Sequence, residues 1–168
     1  RKLGEIASYR PSSLAVSSAL LNGKYDLYDA CGVIGRTDSA AINEKYVSII
    51  KDGAGVGRCR KMPEYSFFIG TIGGIIPKNG CPEFLYEVLQ RINYRKYISG
   101  TGIPHIYYRD YSSESIWVPA DKEQMEIGNF YGAIDTLITL HQRKLDHLKK
   151  LKAGLLQKMF PKNGEVVP

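Results

Sequence analysis

Two stretches of this 168-residue chain carry residue types and spacings that could do chemistry. The first is Gly53-Ala54-Gly55-Val56-Gly57-Arg58, which follows an apolar run from Tyr46 to Ile50 and mimics a phosphate-cradling loop. Its context fails. A dinucleotide-binding turn opens a helix and finds an acid about 20 residues on. Here Cys59-Arg60-Lys61-Met62-Pro63 follows, and Pro63 forbids an early helix. A nucleoside-triphosphate loop ends in Gly-Lys-Ser/Thr, which Arg58-Cys59 does not supply. The pattern predicts a glycine-rich turn between two strands, with positive-φ positions that glycine fills comfortably. Lys51, Arg58, Arg60 and Lys61 flank this turn against one acid, Asp52. A basic hairpin against a nucleic-acid backbone and a merely solvated charged hairpin fit that pattern about equally.

The second stretch is residues 91–111. It holds Arg91, Arg95, Lys96, His105 and Arg109, five of the twelve tyrosines, and one acid, Asp110. Basic residues interleaved with aromatics suit phosphate neutralisation combined with contacts to bases or sugars. The candidate nucleic-acid contacts from both stretches are Lys51, Arg58, Arg60, Lys61, Arg95, Lys96, His105, Tyr107, Tyr108 and Arg109. Tyrosines that pack in a core, with charges that only solvate a loop, are the competing reading.

Motifs for catalysis are missing. There is no nucleophile elbow, no His-Glu-x-x-His and no credible acid pair. No two prolines are adjacent, so the Asn/Asp-Pro-Pro-Tyr/Phe motif of amino-methyltransferases is absent. Cys31, Cys59 and Cys81 are odd in number and widely spaced, and His105, His141 and His147 complete no metal-ligand pattern. Free thiols in a reducing cytoplasm are expected. No apolar run is long enough to span a bilayer. The charged start, Arg1 to Ile6, does not resemble a signal peptide, and a first residue other than Met fits a piece of something longer. The net charge of +6 favours an anionic partner, nucleic acid first and a membrane surface second.

The elements that must position these residues fall into two parts. Residues 1–120 hold six of the eight prolines and most of the glycines. Candidate strands are Tyr46–Ile50, Gly57–Arg60, Ser66–Ile69, Thr71–Ile76 and Ile116–Val118. Pro82 suits a first helical turn, and Phe84, Leu85, Val88, Leu89 and Ile92 form an apolar stripe behind it. This part is predicted to be an α+β domain. Residues 121–160 predict one helix of about 57 Å at 1.5 Å per residue. Asp121 is expected to cap it, with Gln124 completing a capping box, and Pro161 to end it. The positions Ile127, Phe130, Ile134, Leu137, His141, Leu148, Leu151 and Leu155 keep near-heptad spacing. Leu145 flanks this seam, which His141 and Lys144 interrupt. Such a seam calls for a second long helix. Residues 161–168 read as a tail or linker.

With these residues in view, nearly the whole chain resembles one half of the DNA-specificity subunit of a Type I restriction-modification system. The turn Lys51 to Arg58 resembles that family's glycine hairpin, and Ser99 to Ile106 the turn and strand after its helix. Val118-Pro119, Glu123-Gln124 and Ile127-Gly128 resemble the Pro-x-x-x-Glu-Gln-x-x-Ile start of the family's long helix. Leu145 to Pro161 resembles the end of that helix.

The resemblance implies a non-catalytic target-recognition domain on a spacer helix, reading one half of a split site in double-stranded DNA. It implies docking to methyltransferase subunits, which use S-adenosylmethionine, and through the complex to motor-nuclease subunits. No cofactor is expected in this chain itself, and a cytoplasmic location follows. In the family such a unit occurs twice in tandem, on two antiparallel helices, whereas one unit is present here. Either an excised half or a half-length subunit fits. A two-fold homodimer, or pairing with a second half-subunit, would complete the helix pair. The seam period alone leaves parallel and antiparallel pairing open. The reading from another class is a protein-interaction module on a coiled-coil rod.

Overall fold

The structure, a computed structural model, describes residues 1–39, 41–79 and 81–160. The expected tail, 161–168, lies outside the described residues. The chain divides into two compact units, Arg1–Asn129 and Phe130 onward. The fold is α+β, as the sequence predicts.

In the first unit, the elements in order are α1 (Leu3–Ile6), β1 (Ala7–Arg10), β2 (Tyr25–Tyr28), β3 (Val33–Thr37), β4 (Tyr46–Ile50), β5 (Cys59–Met62), β6 (Ser66–Phe68), β7 (Ile72–Pro77), α2 (Pro82–Gln90) and α3 (Tyr108–Tyr111). A single helix, α4 (Asp121–Met159), follows. The central sheet has order β1-β7-β4-β5 and is antiparallel throughout. The second sheet has order β3-β2-β6, with β2 parallel to β6.

All five residues of β4 are buried, which explains why only Ser48 among them is not aliphatic or aromatic. Side chains alternate across a strand. Val47 and Ile49 pack with Leu85, Leu89, Tyr94, Ile106 and Tyr111 in one core. Tyr46 joins Ile42, Met62, Phe67, Phe68 and Ile72 in the other. With both faces covered, the strand is apolar but for the small, buried Ser48, whose hydroxyl donates to the Arg60 carbonyl at 3.5 Å.

Several expectations need correction. β5 begins at Cys59 rather than Gly57, because Gly57 N–H still donates to the Ile50 carbonyl at 2.9 Å and closes the turn. Ile116–Val118 is not a strand. This segment is tied to the chain start instead, through Ile116 N–H to the Arg1 carbonyl at 2.8 Å and a bridge from Ser115 to Lys2. β1, β2 and β3 form where no strand was expected. Asp121 does not stand outside α4 as a cap with Gln124 reaching back to it from the third position. It is the first helical residue, and the buried Gln124 side chain donates to the Pro119 carbonyl at 3.0 Å and to Asp121 Oδ1 at 3.3 Å.

The first turns of α4 belong to the first unit. A Cβ on Gly128 would lie 2.9 Å from Cys81 Sγ and 3.0 Å from Phe84 N, so the absence of a side chain lets the helix approach the start of α2. The second unit is the remainder of α4. Its apolar residues Phe130, Leu137, Leu145, Leu148, Leu151 and Leu155 are all exposed.

Candidate nucleic-acid interface

The predicted glycine turn is the centre of the candidate site. It joins β4 to β5, and Gly53 and Gly57 take φ of 89° and 86°, the left-handed region that favours glycine. Two neighbouring segments hold it. On one side the 3₁₀ turn Tyr94–Tyr97 sets Tyr94 against Gly57, where a Cβ would fall 2.8 Å from the ring. On the other side the turn is zipped to residues 104–106. Gly53 N–H donates to the Pro104 carbonyl at 2.9 Å, and Ile106 N–H to the Lys51 carbonyl at 3.0 Å.

This zipper brings Lys51, His105, Tyr107 and Arg109 together, though 58 residues of sequence separate the first from the last. Lys51 Nζ donates to Asp52 Oδ2 at 3.0 Å, and His105 Nδ1 bonds Asp52 Oδ1. The Tyr107 ring lies 4.1 Å from the imidazole, centroid to centroid, and the Arg109 guanidinium sits 4.9 Å over the Tyr107 ring. This cation–π contact orients the guanidinium, whose Nε also pairs with Asp110 Oδ1 at 3.4 Å. Tyr107 is 46% exposed and Ile103, close to it in the chain, 71%.

The other candidates separate into smaller groups. Arg58 and Arg60 meet at the β2–β3 turn. Arg58 donates to the Ala30 carbonyl at 2.9 Å, and Arg60 to Ala30 and Cys31 at 3.1 and 3.2 Å. These two cations brace the loop through neutral carbonyl acceptors. Lys61 pairs with Glu87 of α2 at 3.6 Å and lies 4.5 Å over the Tyr86 ring. Arg95 is exposed. Lys96 pairs with Glu114, which also accepts from Tyr97 at 2.5 Å. The Lys96–Glu114 bond holds the Glu114 carboxyl below its usual range and raises the lysine above its own. Tyr108 faces inward: its hydroxyl donates to the Ala7 carbonyl at 2.9 Å and its ring stacks on Tyr9.

Sequence reasoning overlooked Asp52 as a partner of two of the candidates. The signal available was one acid inside a basic run. It also passed over Trp117, which is 67% exposed just before α4. Among the described residues no group of three or more His, Cys, Asp or Glu side chains could hold a metal ion. No described helix is long and apolar enough to cross a membrane.

Of the seam positions, Ile127 belongs to the first unit and is half-buried. Phe130, Ile134, Leu137, His141, Leu145, Leu148, Leu151 and Leu155 belong to the second, where all but the half-buried Ile134 are exposed.

Comparison with known proteins gives this geometry a family. The Type I restriction modification DNA specificity domain matches residues 1–150. The Type I restriction enzyme MjaVIII specificity subunit of Methanocaldococcus jannaschii is 26% identical over 125 residues, which cover 72% of this chain and 29% of that protein. The S subunit of a Type-I restriction-modification system from M. genitalium shares the fold with a TM-score of 0.70 at 20% identity, over 98% of this chain and 46% of that one. A chain from a structure concerned with complex assembly and conformational transition of the type I R-M system aligns with a TM-score of 0.68 at 16% identity, over 94% and 44%. This chain thus spans less than a third of the curated relative and under half of each solved one. On the family match over residues 1–150, the chain belongs to the Type I restriction modification DNA specificity domain family.

Proposed function

We propose that this chain is a non-catalytic DNA-reading unit of a Type I restriction-modification complex. The first unit contacts one half of a split duplex site, and α4 pairs with the α4 of a second copy. One observation carries the first part. The β4–β5 turn and the 99–109 segment are locked together with Lys51, His105, Tyr107 and Arg109 along their junction. Phosphate contacts position such a surface on a duplex, and polar and aromatic side chains beside them read base edges.

The charge order of α4 supports an antiparallel pair. Residues 121–140 carry four carboxylates and one lysine, while 141–160 carry six lysines and arginines and one aspartate. Two copies running in opposite directions set acidic against basic ends. The same apolar stripe supplies both sides of a two-fold interface. Such a dimer reads the same half-site on each arm. Methyltransferase subunits holding S-adenosylmethionine would dock on this assembly and supply the methylation chemistry, and motor-nuclease subunits would join through the complex.

The test is duplex binding by the whole chain over a salt series. Each neutralised phosphate contributes about −0.9 to the slope of log K against log salt. A slope steeper than about −3 is expected, shallower by about 1 in Arg109→Ala. Salt-insensitive binding would overturn the reading in favour of a protein-interaction module. Light scattering tests the helix pair. A mass twice 18.8 kDa, reduced to one copy by Leu148→Glu, is expected, and a monomeric parent chain would overturn the homodimer.

A further inference from the structure

Asp52 ties one nitrogen of His105 and leaves the other turned outward. A carboxylate only accepts hydrogen bonds, so the proton of the His105–Asp52 contact sits on Nδ1 in both the neutral and the cationic imidazole. The ring has little freedom to turn away. Main-chain bridges pair His105 with Asp52 and with Ser99, and the Tyr107 ring meets the imidazole edge to face. Nε2 makes no hydrogen bond among the described residues, and none of the buried side-chain nitrogens or oxygens lacks a partner, so Nε2 reaches solvent. A neutral imidazole held this way presents a lone pair. A protonated one presents a charged N–H donor.

We propose that His105 is a proton-dependent phosphate contact and Asp52 its positioning residue. This deepens the DNA-binding reading above and rests on it. Neutral Nε2 offers a phosphate oxygen only a lone pair, which it repels; protonation replaces that with a charge-assisted donor. Phosphate fits better than a base edge for two reasons. A single fixed donor cannot make the paired contacts that distinguish bases. The surroundings also hold two cations, Lys51 paired with Asp52 and Arg109 paired with Asp110. The groups facing the imidazole are Asp52 and, behind it, Lys51 from the β4–β5 turn, with Tyr107 just before α3 and, within α3, Arg109 and its partner Asp110. Tyr9 of β1 lies within the field of Asp52. An arriving phosphate is a second anion beside Nε2 and stabilises the charged imidazolium. Proton uptake and duplex binding are then reciprocal.

The experiment measures binding of the whole chain to a random-sequence duplex at about pH 8 and about pH 5.5, on either side of the ordinary histidine range. Each pH is run over a salt series. Affinity is expected to rise about tenfold at the lower pH, the effect of one charge-assisted hydrogen bond. The salt slope should steepen by about 0.9, one further phosphate. His105→Gln should lose both changes. Asp52→Asn, checked for an intact unfolding transition, should keep less than about a third of the affinity gain, because its imidazolium has lost its counter-charge. Base preferences selected at the two pH values should coincide.

A His105→Gln variant that retains the gain and the steeper slope overturns the proposal. So does a gain confined to one base at one position. Duplex binding without any pH effect overturns this inference alone, while no duplex binding at either pH overturns the DNA-binding reading beneath it.

Discussion

Substituting alanine at Gly53 and at Gly57 separates backbone strain from packing at the β4–β5 turn. Both glycines hold positive φ, so an added Cβ costs about 1–2 kcal/mol at either site. Gly53 faces open space, and strain is its whole penalty. Gly57 is different. Its Cβ would meet Tyr94 Cδ2 at 2.8 Å and two further Tyr94 carbons at 3.0 Å. Tyr94 has nowhere to go: it is 7% exposed, and its ring stands edge-on to Tyr111 at 5.4 Å. Overpacking of this kind adds about 1–3 kcal/mol. Gly57→Ala is therefore expected to cost about 2–5 kcal/mol, and Gly53→Ala about 1–2 kcal/mol. At about 4 °C per kcal/mol for a unit of this size, the melting temperature falls by about 8–20 °C and about 4–8 °C respectively. Thermal unfolding followed by near-ultraviolet circular dichroism reads both, because the tyrosine cluster reports directly. Equal shifts, or a larger shift for Gly53→Ala, would refute the idea that Tyr94 seats the turn.

Other outcomes test other parts of the molecule. Ser66→Ala should destabilise by about 1–3 kcal/mol in urea titration, because it strands the buried Tyr46 hydroxyl, now 3.1 Å from Ser66 Oγ, and a Pro63 carbonyl. Tyr46→Phe should cost less, since Ser66 still donates to Pro63. Gln124→Ala should cost about 1–3 kcal/mol by removing the buried donor to the Pro119 carbonyl at the start of α4; a change below about 0.5 kcal/mol would contradict that role. Burial pushes the Cys59 thiol up to about 12, so a thiol reagent near neutral pH should label exposed Cys31 first and leave Cys59 until unfolding. The sign for stability follows. With a folded value above the unfolded one, the Cys59 contribution is complete below about pH 8.5 and is lost as pH rises toward 12. Urea midpoints should fall across that alkaline window, and less steeply in Cys59→Ala.

What the sequence made legible follows the reach of each physical signal. β4 is covered on both faces and reads as an apolar run interrupted only by the small Ser48, so Tyr46–Ile50 matched residue for residue. α2 was marked by Pro82 and its apolar stripe, and α4 by its length and seam. β1, β2 and β3 were not legible. Ala-Ser-Tyr-Arg and Tyr-Asp-Leu-Tyr bury only some of their side chains, and β3 carries a glycine, so their pairing partners rather than their own patterns make them strands.

The candidate site divides the same way. The glycine turn and its positive φ follow from local sequence. The Asp52–His105 contact spans 53 residues, and the arginine contacts to the β2–β3 turn span 28 to 30, distances at which one sequence carries no pairing signal. Tyr108 shows the limit in the other direction. Its place beside Arg109 suggested a surface, but the short helix α3 turns its ring onto Tyr9.

The central claim is that this chain reads duplex DNA as a two-fold pair. Repeated selection of bound sequences from a random duplex pool by the whole chain, at moderate salt, tests it most directly. The account predicts enrichment of a split motif whose two halves are inverted copies separated by a fixed unread gap, with enrichment of the paired motif lost in Leu148→Glu. A pool that stays random under conditions where the parent chain binds duplex, or a single unsymmetrical motif unaffected by Leu148→Glu, would contradict it.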